Sequence, residues 1–220
     1  MTRRRAAPVV LVATSGTGKT TLARKLVEES DRFVFSTSAT TRSPRHGERE
    51  GIDYHFLSPA EFERRVAADE FAEWAEVHGR LYGTPRREME MAAERGEHVV
   101  LDIDVQGALQ IREALPEAKL IFVLPPSVGI MMARLKGRGT EDPADIARRL
   151  CSALDELRAI FEFDHVVVND DLRECLDEIR RIVDGRGPPP EAPVQDADHF
   201  RKEIARILRD EYGEYVKDPQ

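Results

Sequence analysis

The segment Ala13-Thr14-Ser15-Gly16-Thr17-Gly18-Lys19-Thr20 follows a short apolar run and opens a stretch of helical spacing. Glycines allow backbone N–H groups to turn inward around a phosphate, and the start of a helix adds partial positive charge. A lysine at position 19 reaches the outer phosphate oxygens of a nucleoside triphosphate, and a hydroxyl at Thr20 suits Mg²⁺. The pattern is that of a P-loop, Gly-x4-Gly-Lys-Ser/Thr, except that Ala13 stands where the first glycine would be. A methyl group there crowds the loop if the backbone needs positive φ and is harmless if φ is negative. A working loop with altered nucleotide affinity is expected.

Two further groups of residues carry chemistry. Val99-Val100-Leu101-Asp102-Ile103-Asp104 is an apolar run ending in carboxylates, the pattern of a Walker B strand that holds Mg²⁺ directly or through water. Strand alternation would put Asp102 and Asp104 on one side. Ser38 to Arg45 and Gly51 to Tyr54 then place Arg42 and Arg45 three apart, with a tyrosine after a glycine turn. Such arginine forks and a phenol chelate a phosphate monoester. Glu73-Trp74 and Tyr82-Gly83-Thr84 follow. A carboxylate such as Glu73, with hydroxyls such as Ser38 or Thr84, matches the N1–H, N2–H₂ and O6 edge of guanine. Adenine would leave that carboxylate unpaired, and hydrogen-bonding sites discriminate strongly in this way.

The elements that must position these residues alternate. Pro8–Ala13, Phe33–Ser38, His98–Asp104, Lys119–Leu124 and His165–Asn169 read as buried strands, with helical segments between them. Ser58-Pro59 with Glu61 reads as a capped helix start closed by a capping box, and Thr84-Pro85 and Asp142-Pro143 carry the same cap-plus-proline signature. After Asp142, the residues Ile146, Leu150, Leu154, Leu157 and Phe161 form one apolar stripe. Strand and helix in alternation predict an α/β protein with a parallel sheet flanked by helices. Arg42 to Tyr54 breaks the pattern and reads as loops and short strands inserted on the main sheet. Gly185 to Pro190 reads as a linker, followed by a last helix with Phe200, Ile204, Ile207, Leu208 and Tyr212 at helical spacing. That helix is expected to pack on its own domain or on a second copy of the chain.

The chain has 220 residues, a net charge of −8, and is 41% hydrophobic and 34% charged. This length predicts one compact domain, or one with an appendage. The acidic balance argues against a general nucleic-acid binder, which needs surplus Lys and Arg. Cys151 and Cys175 make no disulfide framework and no metal cluster, so a reducing, cytoplasmic setting is expected. No apolar run reaches the roughly 18 residues of a membrane span. Arg3, Arg4 and Arg5 before Val9 to Val12 imitate a secretory leader, but they read as a solvated tail, because cleavage would remove the strand that the phosphate loop requires.

Taken together these motifs resemble the guanylate kinases. The resemblance is carried by Ser15-Gly16-Thr17-Gly18-Lys19-Thr20, Thr40-Thr41-Arg42-Ser43-Pro44-Arg45, Gly51-Ile52-Asp53-Tyr54-His55-Phe56, Glu73-Trp74 and Tyr82-Gly83-Thr84. It continues with Leu101 to Gly107, Gly137-Arg138-Gly139-Thr140 and Val168-Asn169-Asp170-Asp171, in family order over roughly residues 6 to 184. It implies a P-loop NTPase core with a GMP-binding insertion over about residues 37–90 and a helical lid over about 134–150, within a kinase domain of residues 1–184. Residues 185–195 are then a linker and 196–220 a C-terminal extension.

The implied activity is phosphoryl transfer from ATP to GMP, in purine nucleotide metabolism, with Mg²⁺ bound alongside ATP. ATP would be held by Ala13, Thr14, Ser15, Gly16, Thr17, Gly18, Lys19, Thr20, Thr21, Arg134, Arg138 and Asn169. GMP would be held by Ser38, Arg42, Arg45, Tyr54, Glu73, Tyr82, Thr84 and Asp104, and the metal by Thr20 and Asp102. Catalysis would fall to Lys19, Arg42, Arg138 and Arg149. No nucleic acid or membrane partner is expected, and the C-terminal helix, outside the resemblance, is the candidate surface for a homo-oligomer if it does not pack on its own domain. Two rivals are a kinase of related fold for a phosphorylated sugar and a scaffold module that binds phosphopeptides. Glu73, Ser38 and Thr84 speak against the first, and the intact Gly18-Lys19-Thr20 with Asp102 against the second.

Overall fold

A computed structural model describes residues 6–77, 79–137, 142–187 and 194–215. The chain divides into two compact units, one of residues 1–11 and 23–120, the other of residues 12–22 and 121–220. A five-stranded sheet has the order β2-β7-β1-β8-β9, with β1 at Val9–Ala13, β2 at Phe33–Phe35, β7 at His98–Asp102, β8 at Lys119–Leu124 and β9 at His165–Val168. Its β2–β7, β7–β1 and β8–β9 pairings are parallel. Every residue of β1 is buried, as expected of an apolar run covered on both faces.

The N-terminal unit also carries a second sheet of four strands, in the order β4-β3-β6-β5. These are β3 (Ala39–Thr40), β4 (His55–Phe56), β5 (Phe71–Val77) and β6 (Arg80–Pro85), with α2 (Pro59–Ala67) between β4 and β5. The Arg42–Tyr54 insertion therefore belongs to a sheet of its own and does not extend the main one. Ala39, Phe62 and Phe71 form the core beneath it, with the Phe62 and Phe71 rings stacked at 4.5 Å. α3 (Arg86–Arg95) and α4 (Val105–Ala114) complete this unit, and α1 (Lys19–Glu28) starts in the other unit and ends in this one.

The C-terminal unit holds α5 (Val128–Lys136), α6 (Pro143–Arg158), α7 (Leu172–Val183) and α8 (Val194–Tyr212). The sequence signals for helix starts hold where a side chain meets a free N–H. Ser58 accepts from Glu61 N, Asp142 from Ala144 N, and Asp171 from Arg173 N and Glu174 N. The capping box is only half formed, because the Glu61 carboxylate turns outward to Arg64 and Arg65.

Three expectations fail for identifiable reasons. Thr84 and Pro85 end β6, and Pro85 stands at the N-cap of α3 with no side-chain cap bond, since the Thr84 hydroxyl is committed across the sheet to Glu73. Asp104 lies past the end of β7 and caps α4, so strand alternation does not relate it to Asp102. Phe161 is 53% exposed, because α6 stops at Arg158 and the following 3-10 turn buries Ile160 in its place. α8 buries Phe200, Ile204, Ile207, Leu208 and Tyr212 and packs on α6 and α5 of its own unit. Its apolar stripe is therefore buried within its own unit. Arg3 to Arg5, Arg138 to Thr140 and the Pro188–Pro190 part of the linker lie outside the described residues.

Candidate active site

The phosphate loop spans the turn between β1 and α1. Gly16 and Gly18 sit at φ +85° and +90°, the left-handed region that side chains avoid. A Cβ on Gly16 would also stand 3.1 Å from Met131 O, and one on Gly18 3.1 Å from Asn169 Nδ2. Ala13 is not among the described residues with positive φ, and only 7% of its surface is exposed. Its methyl group is thus accommodated in the wall of the loop without backbone strain.

Inside the turn the Thr17 hydroxyl donates to Thr14 O at 2.7 Å and lies 3.0 Å from the Thr14 hydroxyl. The Thr17 carbonyl in turn accepts from Arg134 Nη1 at 3.0 Å and Asn169 Nδ2 at 2.8 Å. A cavity of about 670 Å³ opens over this loop and is lined by Ala13 through Thr21, Arg134 and Asn169. All the expected donor-site residues described are gathered there. Arg138 lies outside the described residues, and Arg149, half-buried on α6, is not part of the cavity wall.

The residues expected to hold the acceptor lie on the smaller sheet, in the loops beside it and, for Asp104, at the start of α4. Glu73 on β5 stands directly opposite Thr84 on β6, and the Thr84 hydroxyl donates to Glu73 Oε1 at 2.6 Å. Glu73 is 5% exposed. That burial, reinforced by the nearby Asp104 carboxylate, raises its pKa from 4.5 to about 7, against the lowering effect of the Thr84 hydrogen bond. Asp104 Oδ1 accepts from Gly107 N at 2.8 Å in the first turn of α4.

Gly107 is required by this packing, since a Cβ there would lie 2.5 Å from Glu73 Oε2. The strand is fastened beside the carboxylate by Gln110, which donates to Trp74 O at 2.8 Å and accepts from Trp74 N at 3.1 Å. Ser38, just before β3, is half-buried, and its carbonyl accepts from His55 N.

Arg42 lies over the Tyr54 ring at 5.1 Å and the Phe56 ring at 5.8 Å, and Tyr54 and Tyr82 meet edge-on at 6.2 Å. Tyr54 is pushed above its ordinary pKa by burial first and by Asp102 next, so its phenol keeps its proton and can donate. Both arginines meet the same carboxylate of their own loop. Arg42 donates both ends of its fork to Glu48, at 2.8 and 2.9 Å, while Arg45 is exposed and gives its backbone N–H to the same carboxylate at 2.6 Å. The Arg42 hydrogen bond, first among the causes, holds Glu48 down at about 2.

Glu48, Gly107 and Gln110 are the residues that reading the sequence missed. Glu48 had a weak signal, an acid six residues after an arginine within one polar loop. Gly107 had a better one, because glycine inside a helix costs about 1 kcal/mol relative to alanine and needs a packing reason.

Asp102 closes β7 in the N-terminal unit and Thr20 opens α1 in the other. Among the described residues no three acidic, histidine or cysteine side chains are grouped to hold a metal by themselves. A hydroxyl and a carboxylate are each oxygen ligands of the kind that Mg²⁺ takes, usually alongside waters and phosphate oxygens. No helix among the described residues is long and apolar enough to cross a membrane.

A strand, glycine-turned loop and helix beside a parallel sheet define a P-loop nucleotide-binding protein. Comparison with known proteins narrows the class. The guanylate kinase family model matches residues 5–186. The chain is 51% identical over 172 residues to a guanylate kinase of Nitratidesulfovibrio vulgaris, covering 78% of this chain and 83% of that one. It is 46% identical over 175 residues to a guanylate kinase of Symbiobacterium thermophilum, covering 80% and 83%. The crystal structure of guanylate kinase from Anaplasma phagocytophilum superposes with a TM-score of 0.67 at 32% identity, over 90% of this chain and 95% of that one. The chain belongs to the guanylate kinase family.

Proposed function

We propose that the protein transfers the terminal phosphoryl group of ATP to GMP, releasing ADP and GDP. The observation that carries the choice of acceptor is the buried Glu73 carboxylate held opposite Thr84. Once ionised, it is a pure acceptor facing the N1–H and N2–H₂ donors of guanine, while a hydroxyl of Ser38 or Thr84 serves O6. Asp104 adds a second acceptor beside it. Arg42, Arg45, Tyr54 and Tyr82 would hold the GMP phosphate, with Glu48 keeping the Arg42 fork in place between ligands.

On the donor side, Lys19 and the N–H groups of the glycine-turned loop cradle the ATP phosphates, and Asn169 and Arg134 border the nucleotide. A GMP phosphate oxygen attacks the γ-phosphorus, and the bond from that phosphorus to the β–γ bridging oxygen breaks. The nucleophile is already anionic, so no general base is needed. Repulsion between two polyanions is the main barrier, and Lys19, Arg42, Arg138 and Arg149 would offset it. Thr20 and Asp102 would hold Mg²⁺, which when bound neutralises charge on the β- and γ-oxygens.

Coupled measurement of ADP release with GMP, AMP, UMP or no acceptor tests this reading. GMP-dependent release is expected, together with its loss in Lys19→Ala. Equal release with AMP, or none with any acceptor, would overturn it.

A further inference from the structure

We propose that α8, which lies beyond the segment matched by the family model, is the outer support of the phosphate loop, and that Lys136 and Tyr212 are positioning residues for the donor nucleotide. The proposal rests on the reading above that this loop holds ATP. Three layers lie one behind another inside the C-terminal unit: the loop, α5 and α8.

The loop meets α5 at three places. Gly16 packs so closely that a Cβ would stand 3.1 Å from Met131 O and 3.2 Å from Leu135 Cγ. The Thr14 hydroxyl points to Met131 Sδ at 3.8 Å, and Arg134 Nη1 donates to Thr17 O at 3.0 Å. On its other side α5 meets α8 through Lys136. Its Nζ lies 5.9 Å from the centre of the Tyr212 ring and 3.5 Å from Glu211 Oε2.

Arg134 and Lys136 are two residues apart, about 200° around the axis at 3.6 residues per turn, so they leave the helix on opposite sides. Both lie in the last turn of α5, where backbone carbonyls lack intrahelical partners and the helix frays unless tied down. Tyr212 is a firm tie, since only 6% of its surface is exposed and it is buried along with Phe200, Ile204, Ile207 and Leu208. The Lys136–Glu211 pair is half exposed on both sides and contributes little by itself, which leaves Tyr212, through its hydroxyl and its ring, as the anchor. A shift of about 1 Å at this helix end would carry the Arg134 bond to Thr17 beyond hydrogen-bond range and loosen the loop carbonyl that turns the following N–H groups toward phosphate.

The test is an equilibrium ATP titration in the absence of GMP, with separate KM values for ATP and GMP, on the full chain. Tyr212→Ala is expected to weaken ATP binding about three- to thirtyfold, the range of a coupling through one packed layer, with the KM for GMP held within about twofold. Tyr212→Phe, which keeps the ring and its packing but removes the hydroxyl that meets Lys136, is expected to bind ATP more tightly than Tyr212→Ala and more weakly than the parent. Lys136→Ala, whose side chain is half exposed and whose loss opens no core cavity, is expected to shift ATP affinity in the same direction by at least about twofold, and it decides the matter if Tyr212→Ala does not fold. Unchanged ATP affinity in folded Lys136→Ala, or equal weakening of both nucleotides, would overturn the supporting role alone. Failure of the parent to bind ATP would instead remove the reading of the loop on which the proposal stands.

Discussion

Burial pushes Glu73 up from 4.5 to about 7, and its protonation should govern GMP but not ATP. The folded protein thus holds this proton more tightly than the unfolded chain. Guanine offers donors to that carboxylate, and only the ionised form accepts them. The ionised fraction is about nine-tenths at pH 8 and about one-tenth at pH 6, so apparent GMP affinity should fall about tenfold across that interval, by the rule that affinity scales with the competent fraction. A carboxylate with a pKa of 4.5 would change its ionised fraction by only a few per cent over the same range.

The GMP phosphate titrates near pH 6 as well and contributes about a factor of two. The profile of Glu73→Gln, whose amide cannot titrate, isolates that part. The assay is the KM or dissociation constant for GMP from pH 5.5 to 8.5, in parent and Glu73→Gln, with ATP affinity as the control. The same shift sets the sign for stability. Because the folded pKa is raised, the Glu73 contribution is fully present below about 4.5 and is lost as pH rises through about 7, at a cost on the order of 3 kcal/mol once ionised. Without ligand, Glu73→Gln should therefore match the parent near pH 4.5 and exceed its stability at pH 8. A parent GMP profile no steeper than that of Glu73→Gln, with no stability crossover, would refute the reasoning.

Other substitutions probe the remaining parts of the site. Glu48→Gln leaves the Arg42 fork with one acceptor in place of two, and is expected to raise the KM for GMP by about tenfold with ATP affinity unchanged, since a charge-assisted bidentate contact contributes about 1.5–3 kcal/mol in place. A lowered KM for GMP would show that Glu48 competes with the substrate phosphate. Gly107→Ala forces a methyl group against Glu73 Oε2 and is expected to weaken GMP binding by about 1–3 kcal/mol, as overpacking does, with the loss read as a KM effect on GMP alone. Ala13→Gly removes a methyl group that the loop tolerates. It is expected to lower stability by about 0.5–1 kcal/mol, seen as an earlier thermal transition, with ATP affinity within about twofold of the parent.

What could be read in the sequence follows from how local each signal is. The phosphate loop was legible because strand, glycine turn, lysine and helix start are contiguous, and their chemistry depends on backbone geometry that the glycines announce. The Asp142 cap was equally local, satisfying an N–H group two residues away. Where a side chain had two partners to choose between, the nearer one was the natural guess and the distant one prevailed. Thr84 has the look of a helix cap beside Pro85, yet a desolvated carboxylate across the sheet binds a hydroxyl more strongly than a solvated helix end does. Arg42 was read as waiting for a phosphate, yet an unpaired guanidinium held half-buried over two aromatic rings is costly, and Glu48 from the same loop relieves it. Gly107 shows the same logic in reverse: its meaning lies in an atom of Glu73, thirty-four residues earlier in the chain, which no helical or strand period connects to it. Each of these partners neutralises or shapes a side chain of the proposed acceptor site. The binding of GMP would therefore use a hydrogen-bonded frame already built around Glu73 and Arg42, and its affinity would depend on how firmly Thr84 and Glu48 hold those two side chains in place.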